Sequence, residues 1–481
     1  MSIPGVTHKA ALPYRALLHS LSRTTTISSS SSPTMPNCSP IISPVLSASS
    51  STPSLIKSLS ARSVQSLSEL IVGSSIQLAP EEVQVVTEEG LRHAKNTLEA
   101  RHYKTEKFAI QLLTCIKTLH VPSWSDPAIA PQGIKIHKVS GSMTNAVFFV
   151  SYPRSPEIRT LLLRIYGPSS GSLISRPREL HTLHILSSKY HLGPKVYGTF
   201  ENGRLEEFFE STTLSSSDMR DSTISAWIGA RMAELHSVDI EVVEETLPET
   251  RGEGKGWDLS VKVNVKSWLP LAQAVLALPN VPESLRNEID LERFSKEWKA
   301  YLKWLSVVDD VRNGSRRVFA HNDAQYGNLL RLTNTSGESA PHRQIIVVDF
   351  EYAGPNPASF DIANHFQEWT ANYHGPTPHL LDPSRYPSEE EQANFCASYI
   401  QHSTSLSLGN SELKAAVNKL KDQVRYWSPA SAAMWAVWGI VQAREDVEGN
   451  IVEPEFDYLG YSLNRFNGFR REIRKLGVSV P

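Results

Sequence analysis

The sequence predicts an α+β fold with strands gathered in the earlier part of the chain and helices in the later part. Three observations carry that reading. Short apolar runs bounded by turn residues fill 134–166 and 193–209. Apolar residues at three- and four-residue intervals mark 222–236, 285–305, 359–373 and 430–444 as helices. Between the helical sets, strand-like runs at 318–320, 329–330 and 345–348 enclose a dense polar tip.

At 481 residues the chain is long enough for two or three domains. Its first 60 residues hold 17 serines with frequent Pro and Thr, so residues 1–75 are expected to be a disordered extension. The first acidic residue is Glu69, after Lys9, Arg15, Arg23, Lys57 and Arg62. Two readings of that extension stay open: a mitochondrial transit peptide and a tail open to phosphorylation. Lys plus Arg number 48 against 50 Asp plus Glu, a net charge of -2 that gives no electrostatic case for nucleic acid or an anionic membrane surface. Three scattered cysteines point to a reducing compartment, hence a cytoplasmic location. No apolar run approaches the roughly 18 residues that span a bilayer, so no membrane insertion is expected.

Taken in order, residues 81–120 read as helical, with Val83, Val86, Leu91, Leu98, Phe108, Leu112 and Ile116 at helix-like intervals. Two strands then flank Ser140-Gly-Ser-Met-Thr-Asn145. Small residues let the backbone N–H groups of such a turn approach a phosphate; an ordinary hairpin turn fits the same stretch. The strand 160–166 is interrupted by Arg164, and a cation inside an apolar strand needs a partner. Glu179 opens a helix reaching about Tyr190, and two short strands surround Asn202-Gly203, a strong hairpin signal. The helix 222–236 is a packing element, and 242–256 reads as an exposed loop. The stretch 285–305 reads as one long helix, with Trp298, Tyr301 and Trp304 in the core. Trp435 and Trp438 are three apart and share a helix face. Such a pair either packs in a core or walls in an ammonium group.

The polar tip carries the chemistry. His321-Asn-Asp-Ala-Gln-Tyr-Gly-Asn328 is followed by Asp349-Phe-Glu351, with Asp323 and Asp349 26 residues apart. Phosphoryl transfer from a nucleotide needs an Asp to orient the acceptor hydroxyl, plus an Asn and a second Asp to hold Mg²⁺ against the phosphates. Asp323 and Asn328 keep the Asp-x-x-x-x-Asn spacing of a protein-kinase catalytic loop, and Asp349-Phe350-Glu351 stands where such kinases have Asp-Phe-Gly.

His321–Asn328 and the segment from Asp349 to Trp369 resemble the two signature segments of choline/ethanolamine kinases, and the likeness runs from about residue 105 to the C-terminus. The resemblance implies a two-lobed, protein-kinase-like fold with a small β-rich N-terminal lobe (76–210) and a larger, mostly helical C-terminal lobe (211–481). It implies that ATP and Mg²⁺ are used to phosphorylate choline to phosphocholine, the first step of phosphatidylcholine synthesis by the CDP-choline route. Asp323 is then the catalytic residue that meets the acceptor hydroxyl, with Gln325 supporting its loop. Asn328 and Asp349 would hold Mg²⁺, with Glu351 as a second-metal contact. Ser140, Gly141, Ser142, Thr144 and Asn145 would cover the phosphates, and Arg164, fixed by Glu179, would steady them. Glu207 and Phe209 lie at the implied adenine hinge, with Glu207 where the family has Gln. Glu368, Tyr373, Trp435, Trp438 and Tyr461 match the amino-alcohol pocket, where Glu368 would add a balancing negative charge. Thr370-Ala371-Asn372 departs from the family's acidic or aromatic residues there. A homodimer is implied as well. Ethanolamine is the nearest alternative acceptor, although Gln325-Tyr-Gly-Asn328 is more choline-like. Kinases similar to aminoglycoside phosphotransferases share the loop but not the aromatic pocket. A catalytically silent nucleotide-binding regulator is the rival from another class, opposed by the intact Asp323, Asn328 and Asp349.

Overall fold

The computed structural model describes residues 85–86, 90–141, 145–166, 175–244, 258–310, 314–334, 340–404 and 407–480. The extension 1–75, hairpin residues Ser142 and Thr144, and most of the loop 242–256 lie outside them.

Seven strands build the larger sheet: β1 (Val85–Val86), β2 (Arg92–Ala94), β3 (Lys135–Gly141), β4 (Asn145–Ser151), β5 (Leu161–Tyr166), β6 (Val196–Phe200) and β7 (Gly203–Glu207). Their order is β1-β2-β6-β7-β5-β4-β3. Only β2 and β6 pair in parallel. Phe148, Val150, Leu161, Leu163 and Leu205 bury one face against Phe108, Leu112 and Ile116 of α1 (Glu106–Thr118). In contrast α2 (Arg176–Lys189) sends Leu183, Ile185 and Leu186 into a second, larger core. It therefore ties the sheet to the helical part of the chain.

Among the described residues of 81–120, which leave out Val83, the helical reading holds for α1 alone of the longer elements, and Thr105 caps it by accepting from Phe108 N at 3.2 Å. Leu91 and Leu98 are buried, but on the irregular chain just before and just after β2. The side chain of Asn202 clips the Leu98 backbone through both its amide groups, at 2.9 and 3.0 Å. Tertiary pairing has overridden an apolar spacing that also suits a helix.

In the second part, β8 (Ser211–Thr213), β10 (Leu329–Leu332) and β11 (Ile345–Val347) form a sheet ordered β11-β10-β8, while β9 (Arg317–Ala320) pairs with β12 (Gly354–Pro357). Around them pack α3 (Ser222–Leu235), α4 (Ile240–Glu244), α5 (Ser260–Leu276), α6 (Glu283–Ile289), α7 (Leu291–Val308), α8 (Ala358–Glu368), α9 (Glu389–Ser403), α10 (Asn410–Gln442), α11 (Arg444–Glu448) and α12 (Tyr458–Lys475). The expected single helix over 285–305 is two. Asp290 breaks it at φ 48°, and its carboxylate then caps α7 by accepting from Arg293 N at 3.0 Å. Trp298 and Tyr301 are buried core residues. The helix expected at 430–444 is the end of the 33-residue α10, which runs through Pro429. In the turn before that proline, the Tyr301 hydroxyl donates to Tyr426 O at 2.7 Å. Gly439 sets how closely α12 approaches α10, because a Cβ there would meet Ser462 Oγ at 2.4 Å and the Tyr461 ring at 2.9 Å.

Candidate active site

β9 delivers the chain into the polar loop and β10 takes it away. Asn322 within the loop and Asp349 beyond β11 both sit at positive φ, 65° and 69°. Such backbone costs a non-glycine residue about 1–3 kcal/mol and needs support from its surroundings. For Asn322 the support comes from Asp361 in the first turn of α8. Its carboxylate accepts from His321 N and Asn322 N, both at 2.8 Å, and from His236 Nε2 at 2.9 Å. Nδ1 of His236 in turn meets the Tyr399 hydroxyl at 3.0 Å. Burial would push the Asp361 carboxyl up, but His236 and these donors hold it below its usual value. His321 donates from Nε2 to Val348 O at 3.0 Å, and its Nδ1 accepts from Asp323 N at 3.2 Å. Burial drives its imidazole below its usual value, toward the neutral form this pairing requires.

The loop brings its key side chains together. Asp323 is buried, and Asn328 Nδ2 donates to both its Oδ2 and its backbone O at 2.9 Å. Gln325 Oε1 accepts from Gly327 N at 3.0 Å, closing the turn between them. Leu329 stands opposite Val347, and Val348 N donates to Asn328 O at 3.0 Å, so Asn328 sits beside the strand end that carries Asp349. Phe350 is seated against Gly193, which has φ 73° and whose Cβ would lie 2.7 Å from the ring.

Asp349 and Glu351 answer whether a cation fits. All four of their carboxylate oxygens are buried without a hydrogen-bond partner among the described residues. Burial pushes both carboxyls up, Glu351 strongly, and for Glu351 the neighbouring Asp349 charge adds to the effect. Two buried carboxylates in this state are costly unless a cation joins them. Oxygen donors from two carboxylates and the Asn328 amide suit Mg²⁺, which commonly takes few protein ligands and completes its shell with phosphate and water. Among the described residues no cluster of three His, Cys, Asp or Glu side chains could cage a metal unaided.

On the sheet side the expected Arg164–Glu179 pair needs correction. Glu179 instead receives Arg204 Nη2 at 2.8 Å and Arg176 Nη1 at 2.7 Å. Arg204 lies directly across from Arg164 in the β5–β7 register and takes that carboxylate. It also bonds Glu206 and the Tyr166 hydroxyl. Burial alone would raise the Glu179 carboxyl, but Arg204 and Arg176 hold it down at about 2. Arg164 Nε lies 3.5 Å from Glu206, while its Nε and Nη1 make no hydrogen bond among the described residues. The backbones of Ser140, Gly141 and Asn145 lie in the β3–β4 hairpin opposite Val147, Ala146 and Tyr166. Glu207 is half-buried and its carboxylate accepts from Lys195 N at 3.2 Å; Phe209 is half-buried beside it.

The aromatic residues form a third group. Trp435 and Trp438 meet edge-to-face at 5.2 Å, Tyr352 lies 5.4 Å from Trp435, and Tyr461 lies 6.0 Å from Trp438. The indole N–H of Trp435 donates to Asn364 Oδ1 at 2.7 Å and that of Trp438 to the Tyr352 hydroxyl at 2.8 Å. Asn364 Nδ2 also donates to Asn322 O at 3.1 Å, so one residue of α8 positions both the loop and the first indole. Burial raises the Tyr352 and Tyr461 phenols, and the Asp323 charge adds to both. Glu368 is not the free balancing charge expected. Its Oε1 pairs with buried Arg465 at 2.6 Å, and its Oε2 accepts from the Tyr373 hydroxyl at 2.6 Å.

Residues 136–470 match the family model for choline/ethanolamine kinase. The chain is 33% identical to a choline kinase of Schizosaccharomyces pombe, over 77% of this chain and 90% of that one. With a choline kinase of Saccharomyces cerevisiae it shares 34% identity over 80% and 78%. This chain belongs to the choline/ethanolamine kinase family. A crystal structure of choline kinase from Cryptosporidium parvum superposes with a TM-score of 0.60 at 21% identity, covering 77% of this chain and 97% of that one, which shows the shared two-lobed kinase fold. Within this family member, the sequence assigns no role to Asp361, Asn364, Arg204, Tyr352 and Arg465, while His236, which ends the 222–236 stretch and fits a polar cap equally well, instead bridges Asp361 and Tyr399. Asp361 and Asn364 stand inside the second signature segment, and that position was their only signal.

Proposed function

We propose that this chain is a choline kinase that moves the γ-phosphoryl group of ATP onto the choline hydroxyl, with Mg²⁺ as the metal. The observation that supports it most is the single constellation of Asp323, Asn328 and the Asp349–Glu351 strand end, flanked by an aromatic box tied to the same loop through Asn364. Asp323 accepts or orients the hydroxyl proton, and Asn328 fixes the carboxylate that does so. Asn328 and Asp349, with Glu351, would hold Mg²⁺, which supplies neutralisation of phosphate charge. Arg164, whose Nε and Nη1 make no hydrogen bond among the described residues, steadies the phosphates.

Choline is favoured over ethanolamine on hydrogen-bonding grounds. A trimethylammonium group has no N–H and needs only ring faces. A primary ammonium brings three donors, and both Glu368 oxygens are already engaged by Arg465 and Tyr373. The test is product formation from Mg-ATP with choline, ethanolamine and an aminoglycoside as acceptors. Phosphocholine should form with the highest kcat/KM. A preference for ethanolamine would reassign the acceptor, and no acceptor-dependent turnover would leave only a nucleotide-binding regulator.

A further inference from the structure

Between the sheet-side cations and the acidic strand end lies a side chain that the reaction scheme above does not use. Arg176 is the first residue of α2. Its Nη1 lies 2.7 Å from Glu179 Oε2 and 3.8 Å from Glu351 Oε2, and its guanidinium sits 4.8 Å from the centroid of the Tyr166 ring. Its Nε and Nη2 are buried and make no hydrogen bond among the described residues. A separation of 3.8 Å is too long for a hydrogen bond, so Glu351 does not satisfy this guanidinium either.

Two sets of groups thus lack hydrogen bonds among the described residues, Nε and Nη2 of Arg176 and the carboxylate oxygens of Glu351 and Asp349, and the guanidinium approaches Glu351 through its Nη1 at 3.8 Å. Leaving either set buried and unbonded is unfavourable. A ligand that satisfies both at once must bring anionic oxygens and a cation together, which is the chemistry of a metal-bound polyphosphate. The planar fork of an arginine matches paired phosphate oxygens, which a lysine cannot do.

We propose that Arg176 is a phosphate-contacting residue. Its Nε and Nη2 donate to the nucleotide's polyphosphate, Glu179 holds the guanidinium in place, and Glu351 gives up its long contact to face the metal. The inference rests on the ATP-dependent kinase reading above. It puts the phosphates between two cations on different elements, Arg164 on β5 and Arg176 on α2.

The experiment measures binding of ATP and of adenosine, each with Mg²⁺, by calorimetry to the full chain and to Arg176→Gln, Arg176→Lys and Arg178→Gln. Arg178 pairs with Glu244 at a half-exposed position and serves as the neighbouring charge control. Arg176→Gln should weaken ATP binding roughly ten- to hundredfold while adenosine binding changes less than about twofold. Arg176→Lys should fall between it and the wild type, and Arg178→Gln should match the wild type. Choline-induced quenching of tryptophan fluorescence, retained in every variant, reports that the fold survives. Should the Gln variant fail to fold, the Lys variant carries the same comparison. Unchanged ATP affinity, or equal losses for ATP and adenosine, would overturn the assignment and leave Arg176 a brace for α2. A wild-type chain that binds no ATP would remove the kinase reading itself, and this inference with it.

Discussion

In the region proposed to take the nucleotide, the carboxylates of Asp349 and Glu351 and several N–H groups of Arg164 and Arg176 are buried without hydrogen-bond partners among the described residues. On the acceptor side, both indole N–H groups and both Glu368 oxygens are engaged within the protein. The exception there is Arg465, whose Nε and Nη1 are unbonded while its guanidinium stacks over Tyr461 at 4.9 Å. Burying polar groups unpaired is costly, so the first region is built for a ligand rich in charge and oxygen. The second has satisfied its indole and Glu368 polar groups and presents ring faces, which suit a cation that needs no hydrogen bonds.

The contrast breaks most severely if the support common to both regions is removed. Asp361→Ala strips the loop backbone and His236 of their shared acceptor. Truncating one partner of a buried, bonded charge should cost about 3–5 kcal/mol. The melting temperature and turnover should fall together. Asp349→Asn separates the two regions. Phosphoryl transfer should drop sharply and lose its response to Mg²⁺, while the ligand-free protein should gain about 1–3 kcal/mol of stability, because a buried, unpaired carboxylate is gone. Denaturant titration without ligand checks the sign, and a loss of stability would mean that Asp349 is satisfied within the fold. Trp435→Ala acts on the other region alone. Cation–π contacts contribute about 0.5–2 kcal/mol each, so choline KM should rise about two- to thirtyfold with the ATP KM unaltered. A further effect concerns the acid limb of stability. Glu179 titrates at about 2 in the folded chain against an ordinary 4.5, so its ionised form is the one folding favours. Its contribution is fully present above pH 4.5 and is lost as pH falls toward 2. Glu179→Gln should flatten the melting-temperature curve over that interval.

The placing of Asp323 and Asn328 on one loop beside the strand end of Asp349 was legible in the sequence, because short spacings along two strand ends mark it. The aromatic pair at 435 and 438 was legible for the same reason, as two residues three apart on one helix face. What escaped depends on long-range approach. Arg204 reaches Glu179 only because β7 pairs with β5. Asp361 matters through contacts with residues about 40 positions away, and Arg465 through an ion pair spanning 97. Leu91 and Leu98 misled because burial on irregular chain flanking a strand can mimic helical spacing. Asp290 broke a helix in a backbone state that apolar periodicity does not register.

Asp323 is the group proposed to activate the alcohol, and Asp323→Asn, which keeps the shape but not the charge, tests that role most directly. Phosphocholine formation should fall about a hundred- to ten-thousandfold, while ATP and choline still bind within a few-fold of wild type. An Asn variant that phosphorylates choline at close to the wild-type rate would contradict it.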